Sequence, residues 1–432
     1  MTAIDSAAPT VVTMGCRLNT HESERMREHA SAAGLGDAVI VNTCAVTAEA
    51  VRQAGQAIRR IRREQPHARI IVTGCAAQTE TARFADMAEV DHVIGNAEKI
   101  RPETFRMLTR PGPPPPRVMV ADIADNRSMA ADRINGFGTP ARAFVEIQNG
   151  CDHRCTFCII PYGRGPSRSL PASDVIAQIR RVVERGAQEV VLTGVDITAW
   201  GKDIADAPLL GRLVRDILRQ VPELTRLRLS SIDQAETDPE LMAALAEEPR
   251  LMPHLHLSLQ SGSDLILKRM KRRHSRAQSI EFCAQVRRLR PDIAIGADLI
   301  AGFPTESESH LQATLDAVDE CGLSFLHVFP YSPREGTPAA RMPQLPHAEI
   351  KARAARLRKK GEQVLEAWLT RYVGADVPCA LEQSSRDETL ARTPQFAQVS
   401  VRGVGPGRSP GDVVRARVVG HDGRRLFAEL RA

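Results

Sequence analysis

The segment NGCDHRCTFCIIPYGRG at 149–165 places Cys151, Cys155 and Cys158 in the spacing C-x3-C-x2-C. Three thiolates on one short loop can take three corners of a four-iron cube and leave the fourth iron to a bound molecule. S-adenosylmethionine suits that vacancy, since its amino and carboxylate groups can chelate the open iron, and the pairing carries radical chemistry. The competing reading is a zinc knuckle with His153 as the fourth ligand. Zinc sites, however, usually draw two ligand pairs from well-separated stretches.

A second set of three is spread over the first hundred residues. Cys16, Cys44 and Cys75 each follow a short β-branched run and precede a helical pattern: PTVVTMGCRLNTHESE, DAVIVNTCAVTAEA and ARIIVTGCAAQTE. The spacing suits successive strand–helix units, whose right-handed crossovers make the strands parallel and bring their carboxyl ends to one edge. Ligands of open α/β sheets bind at that edge. The pattern therefore predicts one shared three-thiol site, better matched to an iron–sulfur cube with one open iron than to a closed zinc site. The alternative is three buried cysteines acting as small hydrophobes.

The elements that must position these residues form three blocks, and the fold class is α/β. Residues 1–112 read as an N-terminal parallel α/β domain. The proline-rich RPGPPPPR at 110–117 opens a linker over 113–136. Between 137 and 370, six runs of strand character alternate with amphipathic helices: AFVEIQNG, EVVLTGVD, RLRLSSI, HLHLSLQ, IAIGADLI and FLHVFPY. This alternation predicts a partial (β/α)6 barrel with its chemistry at the strand carboxyl ends. Short β-type segments separated by Gly, Pro and Asp fill 371–432 and predict a small antiparallel β-barrel. Cys283, Cys321 and Cys379 fall within these elements and read as structural.

Composition narrows the class. Nine cysteines, an odd number, and no leading apolar stretch argue for metal or catalytic use of thiols in a cytoplasmic enzyme rather than for a disulfide framework. No apolar run reaches the ~20 residues that span a bilayer, so no membrane partner is expected. The net charge of +6 permits a polyanionic partner without requiring one. Basic stretches such as AIRRIRRE and LKRMKRRHSR, taken singly, are more often solvated helix faces than nucleic-acid sites.

Taken together, GCRLNTHESE, NTCAVT, TGCAAQ, NGCDHRCTFCIIPYGRGPSRS, LSLQSGSDLILKRMKRR, IGADLIAGFPTE and HVFPYSPREGTPAARM resemble the methylthiotransferase family of radical SAM enzymes over nearly the whole chain, and within it the MtaB-like branch. The resemblance implies two [4Fe-4S] clusters, one on Cys151, Cys155 and Cys158 with S-adenosyl-L-methionine, the other on Cys16, Cys44 and Cys75 carrying the sulfur to be inserted. It implies methylthiolation of tRNA at C2 of N6-threonylcarbamoyladenosine beside the anticodon. The same chemistry on N6-isopentenyladenosine or on a ribosomal-protein aspartate is the near alternative, and a non-catalytic cysteine-rich RNA-binding protein the distant one. No catalytic residue is expected beyond the cluster ligands.

Further residues are carried over from the resemblance as cofactor-binding candidates. They are Gly194 and Asp196 after the second barrel strand, Gln260 and Ser261 in LQSGS, Asp298 and Gly302 in GADLIAGFP, and Phe329 and Tyr331 in VFPYS. An ordinary strand-end turn is the alternative for Gly194 and Asp196, and core packing for Phe329. The C-terminal barrel resembles a TRAM domain, which implies a grip on tRNA; the two aromatics within 374–432 leave little for base stacking. A monomer served by an electron donor such as flavodoxin or ferredoxin completes the expectation, with the sulfur donor unknown.

Overall fold

A computed structural model of the chain describes residues 8–127, 129, 141–384, 388–405 and 407–431. Part of the expected linker, and residues 137–140 at the expected start of the barrel, lie outside this set. In chain order the elements are β1 (Thr10–Thr13), α1 (Arg17–Ala32), β2 (Ala38–Thr43), α2 (Ala48–Glu64), β3 (Arg69–Gly74), α3 (Cys75–Thr79), α4 (Thr81–Ala85), β4 (His92–Ile94), α5 (Pro102–Thr109) and β5 (Val118–Met119). There follow β6 (Ala143–Glu146), β7 (Gln148–Asn149), α6 (Ile160–Arg164), β8 (Arg168–Ser169), α7 (Ala172–Glu184), β9 (Glu189–Thr193), α8 (Leu210–Gln220), β10 (Arg226–Leu229), β11 (Ser231–Ile232), α9 (Pro239–Glu247), β12 (His254–Gln260), α10 (Asp264–Arg269), α11 (Arg276–Leu289), β13 (Ala294–Ala301), α12 (Glu308–Glu320), β14 (Phe325–Pro330) and α13 (His347–Thr370). Last come β15 (Asp376–Ser384), β16 (Thr389–Arg392), β17 (Gln398–Arg402), β18 (Val413–His421) and β19 (Leu426–Leu430).

Two compact units divide the chain. The first takes residues 1–138, 148–169 and 332–340; the second takes 139–147, 170–331 and 341–432.

In the first unit, β1 to β5 form a parallel sheet in sequence order. Strands β2 and β3 are β-branched and buried on both faces, as a parallel sheet covered by helices requires. Val39, Val41, Ile70 and Val72 pack on one side with Val51, Ala54 and Ile58 of α2. Ile40 and Ile71 pack on the other with Met26 and Ala30 of α1 and Phe105 of α5. Helix α2 starts where Thr47 accepts from the Ala50 N–H at 3.1 Å, a side-chain N-cap. The sheet extends past the proline-rich stretch, because Val118–Met119 pairs with β4, so chain expected to be linker is partly strand.

In the second unit, β6, β9 and β10 make one parallel sheet, and β11 to β14 make another. The main strands coincide with the six runs read from the sequence, with helices between them. Alternation fixes the faces: Leu255, Leu257 and Leu259 are buried on one side of β12, while His254, His256 and Ser258 point to the other.

Phe396, between β16 and β17, identifies that other side as concave. Its ring lies 5.0 Å from the Arg228 guanidinium on β10, 5.1 Å from that of Arg142 just before β6, and 5.0 Å from the His254 ring on β12. Arg228 also donates to the carbonyls of Thr393 (2.9 Å) and Pro394 (2.7 Å). The turn 393–396 therefore fills the interior of the partial barrel at the amino ends of its strands.

Strands β15 to β19 close into a barrel in the order β15-β16-β17-β19-β18. All pairs are antiparallel except β17 with β19. The sequence reading expected antiparallel pairing throughout. Closure produces the exception, since β19 hairpins back along β18 and its free edge then meets β17 in the same direction.

Candidate cluster-binding site

Both cysteine triads belong to the first unit. Cys16 follows β1, and Cys44 and Cys75 directly follow β2 and β3, so three adjacent parallel strands deliver three thiols to one sheet edge. Their sulfurs sense one another. Burial pushes the Cys44 thiol up to about 11, and the neighbouring Cys75 and Cys16 add to the rise. A metal taking this site would displace that proton.

Glycines make room for the turn. Gly15 and Gly74, immediately before Cys16 and Cys75, have φ of +101° and +98°, a region that side chains avoid. A Cβ on Gly15 would stand 2.7 Å from the Cβ of Cys44. The backbone here leaves space that any side chain would fill.

The C-x3-C-x2-C loop is closed on itself, with the Cys151 N–H donating to the Gly165 carbonyl at 3.1 Å and the Cys158 N–H to the Cys155 carbonyl at 3.1 Å. The Ala339 N–H donates to the Thr156 carbonyl at 2.9 Å, securing the loop from the far end of the unit's sequence. Directly after Cys158, α6 packs on α3. A Cβ on Gly163 would touch the Cys75 Cβ at 3.4 Å, and the Asn96 amide donates to the Gly163 carbonyl and lies 3.7 Å from the Cys75 sulfur. Gly163 is five residues beyond Cys158. That length of chain reaches at most about 18 Å when extended, and less in a helical turn.

Behind this contact lies a buried charge network that sequence reasoning did not assign. Arg164, at the end of α6, donates to Glu22 at 2.8 and 3.1 Å, to Asn19 at 2.7 Å and to Asn149 at 3.2 Å. Lys99 reaches the same Glu22 carboxylate at 2.7 Å. Burial alone would raise the Glu22 carboxyl, but Arg164 and Lys99 outweigh it and hold it far below the usual carboxylate range. One carboxylate faces two cations, so a positive surplus remains. It lies beside sulfur: burial disfavours the Arg164 charge, yet Cys75, Glu22 and Cys16 together favour it. A surplus positive charge next to three thiols fits an anionic iron–sulfur cluster there. The signals in sequence were Glu22 in GCRLNTHESE and Arg164 in PYGRG, both inside quoted motifs but without a visible partner.

The remaining candidates lie in the second unit. Gly194 directly follows β9, and Asp196 accepts from the Thr198 hydroxyl at 2.8 Å in the turn beyond it. Gln260 closes β12 at φ +70°, where the register with β13 shifts. The Ser261 hydroxyl is buried, 3.3 Å from the Thr314 hydroxyl, and accepts from the Ser263 N–H at 3.2 Å. Asp298 lies in mid-strand with two histidines on its carboxylate. The space beside Gly302 is taken by Ile350 of α13, 2.8 Å from where a Cβ would stand. Phe329 is half-buried opposite Ile300, and Tyr331 is buried with its ring edge-on to Phe303 at 5.6 Å. The strands thus gather most of these residues at or beyond their carboxyl ends, with Ser261, Gly302 and Tyr331 engaged in packing or loop hydrogen bonds.

Comparison with known proteins bears on the whole chain. Residues 145–318 match the Radical SAM superfamily, and residues 9–95 match the uncharacterized protein family UPF0004. The threonylcarbamoyladenosine tRNA methylthiotransferase MtaB of Rickettsia prowazekii is 47% identical over 391 residues, covering 90% of each chain. The tRNA-2-methylthio-N(6)-dimethylallyladenosine synthase of Cereibacter sphaeroides (strain ATCC 17025) is 33% identical and covers 97% of each. Among solved structures, the radical S-adenosylmethionine methyltransferase TsrM of Kitasatospora setae aligns with a TM-score of 0.51 at 17% identity, over 70% of this chain and 65% of that one, a likeness of fold alone. A zinc-knuckle reading of the C-x3-C-x2-C loop does not survive these matches. Two thiol triads held in one unit, a parallel barrel and relatedness over nine-tenths of the sequence place this chain in the radical SAM methylthiotransferase family.

Proposed function

We propose that this enzyme adds a methylthio group to C2 of N6-threonylcarbamoyladenosine in tRNA. The observation that carries the mechanism is the packing of α6, which runs directly from Cys158, against Cys75. Inserting sulfur at an unactivated aromatic carbon needs a hydrogen-abstracting centre and a sulfur store close together. The chain builds its two thiol triads into one compact unit, as that demands.

Cys151, Cys155 and Cys158 would hold the cluster that binds S-adenosylmethionine, and Cys16, Cys44 and Cys75 the second cluster; when bound, these groups supply the radical and the sulfur. The protein's own work is positional. Gly15 and Gly74 let the strand ends turn so that the thiols converge, Asn96 fixes α6 to the second triad, and Arg164 with Lys99 offsets negative charge in a region closed to water. Low dielectric strengthens that compensation.

The substrate assignment rests on the 47% identity to a threonylcarbamoyladenosine enzyme, against 33% for the dimethylallyladenosine relative. The C-terminal barrel is read as the tRNA grip and a flavodoxin or ferredoxin as the electron donor. The chain is read as a cytoplasmic monomer; among the described residues no helix is long and apolar enough to cross a membrane.

Two measurements test the proposal. Nucleoside mass analysis of tRNA from a deletion strain should lose the 2-methylthio form of threonylcarbamoyladenosine; loss from dimethylallyladenosine instead would transfer the assignment to that substrate. In the reconstituted enzyme, Cys16→Ala should lose about half the iron and all methylthio product while still cleaving S-adenosylmethionine, whereas Cys155→Ala should lose both activities. Full product formation by Cys16→Ala would exclude the second site.

A further inference from the structure

Gripping a nucleobase by stacking needs an aromatic face that the base can reach, and this chain has few aromatic rings. Its 432 residues include 2 Trp, 3 Tyr and 11 Phe. Among the described residues, Tyr162 is the one of these that stands exposed, at 48%. Trp200, Trp368 and Tyr331 are buried, and Phe329 is half-buried. A single exposed ring on a protein surface needs no explanation by itself. The place of this one in the chain sets it apart.

Tyr162 lies in α6, between Cys158 and the residue that touches the second triad. Its N–H and that of Gly163 both donate to the Ile159 carbonyl, at 3.1 and 3.2 Å. A turn closed in this way spans less than about 7 Å between its end Cα atoms. One more peptide step leads back to Cys158, so the Cα atoms of Tyr162 and Cys158 are at most about 11 Å apart. In the other direction, a Cβ on Gly163 would stand 3.4 Å from the Cys75 Cβ. Adding one peptide step and two carbon–carbon bonds puts the Cys75 Cα within about 10 Å of that of Tyr162. The ring is therefore carried by backbone that borders both triads, and all of these residues belong to the first unit.

A segment from far along the sequence steadies this place. Residues 332–340 belong to the same unit. The Ser332 hydroxyl accepts from the N–H of Ala48, four residues after Cys44, at 3.0 Å. Arg334, buried, is ion-paired with Glu80, which directly follows α3. The Gly336 carbonyl accepts from the Tyr162 hydroxyl at 3.4 Å, and the Ala339 N–H donates to the carbonyl of Thr156, between Cys155 and Cys158. The hydroxyl contact is long for a hydrogen bond, so it restrains the phenol only by its edge. Among the described residues, no second ring and no guanidinium lies over the faces of Tyr162.

We propose that Tyr162 is the stacking platform for the adenine ring of the target nucleotide. The inference rests on the substrate reading given above. An enzyme that does chemistry on a base draws it out of its stack and replaces the lost stacking with contacts to aromatic or apolar side chains. Every base has a π-face, so Tyr162 supplies grip and position rather than a choice among bases. The adenine of S-adenosylmethionine is the other source of the same chemistry. Position favours the substrate: a base that gives up hydrogen and receives sulfur has to approach both triads, and Tyr162 borders both. A ligand of the C-x3-C-x2-C loop alone has no need of the Cys75 side. A ring half open to solvent also suits a nucleotide swung in from a large RNA.

The test is a double-mutant cycle between protein and RNA. Two fluorescein-labelled anticodon stem-loops are compared, one carrying threonylcarbamoyladenosine and the other an abasic site at the same position. Anisotropy measures their binding to the full-length protein, both reconstituted and metal-free. Tyr162→Leu and Tyr162→Gln should weaken binding of the modified loop by about 5- to 150-fold and leave the affinity for the abasic loop unchanged. Tyr162→Phe, which keeps the ring, should behave as wild type. In turnover, the KM for the modified loop should rise in Tyr162→Leu by a similar factor while the KM for S-adenosylmethionine stays the same. Equal weakening of both loops, in variants whose thermal midpoint matches wild type, would overturn the inference. So would a rise confined to the KM for S-adenosylmethionine, which assigns the ring to that adenine, or a Tyr162→Phe loss as large as that of Tyr162→Leu, which assigns the effect to the hydroxyl. A wild-type enzyme that leaves the threonylcarbamoyladenosine loop unmodified would refute the substrate reading itself, and this inference with it.

Discussion

Arg164 donates to both carboxylate oxygens of Glu22, at 2.8 and 3.1 Å, joining the helix after the C-x3-C-x2-C loop to the helix after Cys16. The side chains of both residues are 2% exposed, and Lys99, fully buried, shares the carboxylate. The two cysteine-bearing segments are therefore tied by charge as well as by packing.

Unequal consequences follow for the two partners. Glu22→Gln leaves two buried cations without their anion and should destabilise the apo-protein by about 3–5 kcal/mol. Arg164→Gln leaves Glu22 still paired with Lys99 and should cost less, about 1–3 kcal/mol. Urea denaturation of the apo-proteins checks the order; a larger loss for Arg164→Gln would show that Lys99 does not hold the carboxylate as described. Arg164→Gln should also weaken iron retention at the Cys16, Cys44 and Cys75 site, because the positive surplus beside the thiols is gone.

Phe396 attaches the C-terminal barrel to the strands it plugs. Three guanidinium groups lie over its ring, Arg392 at 4.3 Å, Arg228 at 5.0 Å and Arg142 at 5.1 Å. Phe396→Ala removes this packing and leaves the arginines facing a void, a loss of about 2–3 kcal/mol for a half-buried aromatic. Because the lost contacts join two substructures, local opening should increase before global unfolding. Limited proteolysis should then cut near residue 374 and release the C-terminal barrel faster than in wild type; an unchanged cleavage pattern would mean that the turn 393–396 does not anchor it.

Much of this architecture was legible because its strands are long enough to show a period. HLHLSLQ alternates clearly, AIGADLIA is a near-continuous apolar run, and the three Cys-bearing turns recur at matching points, so the parallel sheet edge could be deduced. His92–Ile94 and Val118–Met119 went unread because strands of two or three residues carry no periodicity. The parallel β17–β19 pair was invisible because barrel closure is decided by chain path rather than by local residues. Arg164 and Glu22 are 142 residues apart, and Asp298 and His256 are 42 apart. Nothing local marks such charges as partners, so the cysteines were readable while the network that holds them was not.

Glu189 gives the second unit a defined acid sensitivity. It begins β9 and lies 2.8 Å from the Arg228 guanidinium and 2.6 Å from that of Arg142, with its side chain 1% exposed. Burial would raise its carboxyl, but Arg228 and Arg142 more than offset that and lower it to about 2. A carboxylate that is harder to protonate in the folded than in the unfolded chain stabilises the fold above its unfolded pKa of about 4.3, and this stability is lost as pH falls toward the folded value. The contribution at pH 7 is on the order of 3 kcal/mol by that linkage. Glu189→Gln carries no such titration, so the gap in urea midpoint between wild type and variant should be wide at pH 7 and pH 5 and should narrow steadily below about pH 4. A gap that stays constant down to pH 3 would mean that the Arg142–Glu189–Arg228 contacts do not depend on the carboxylate charge.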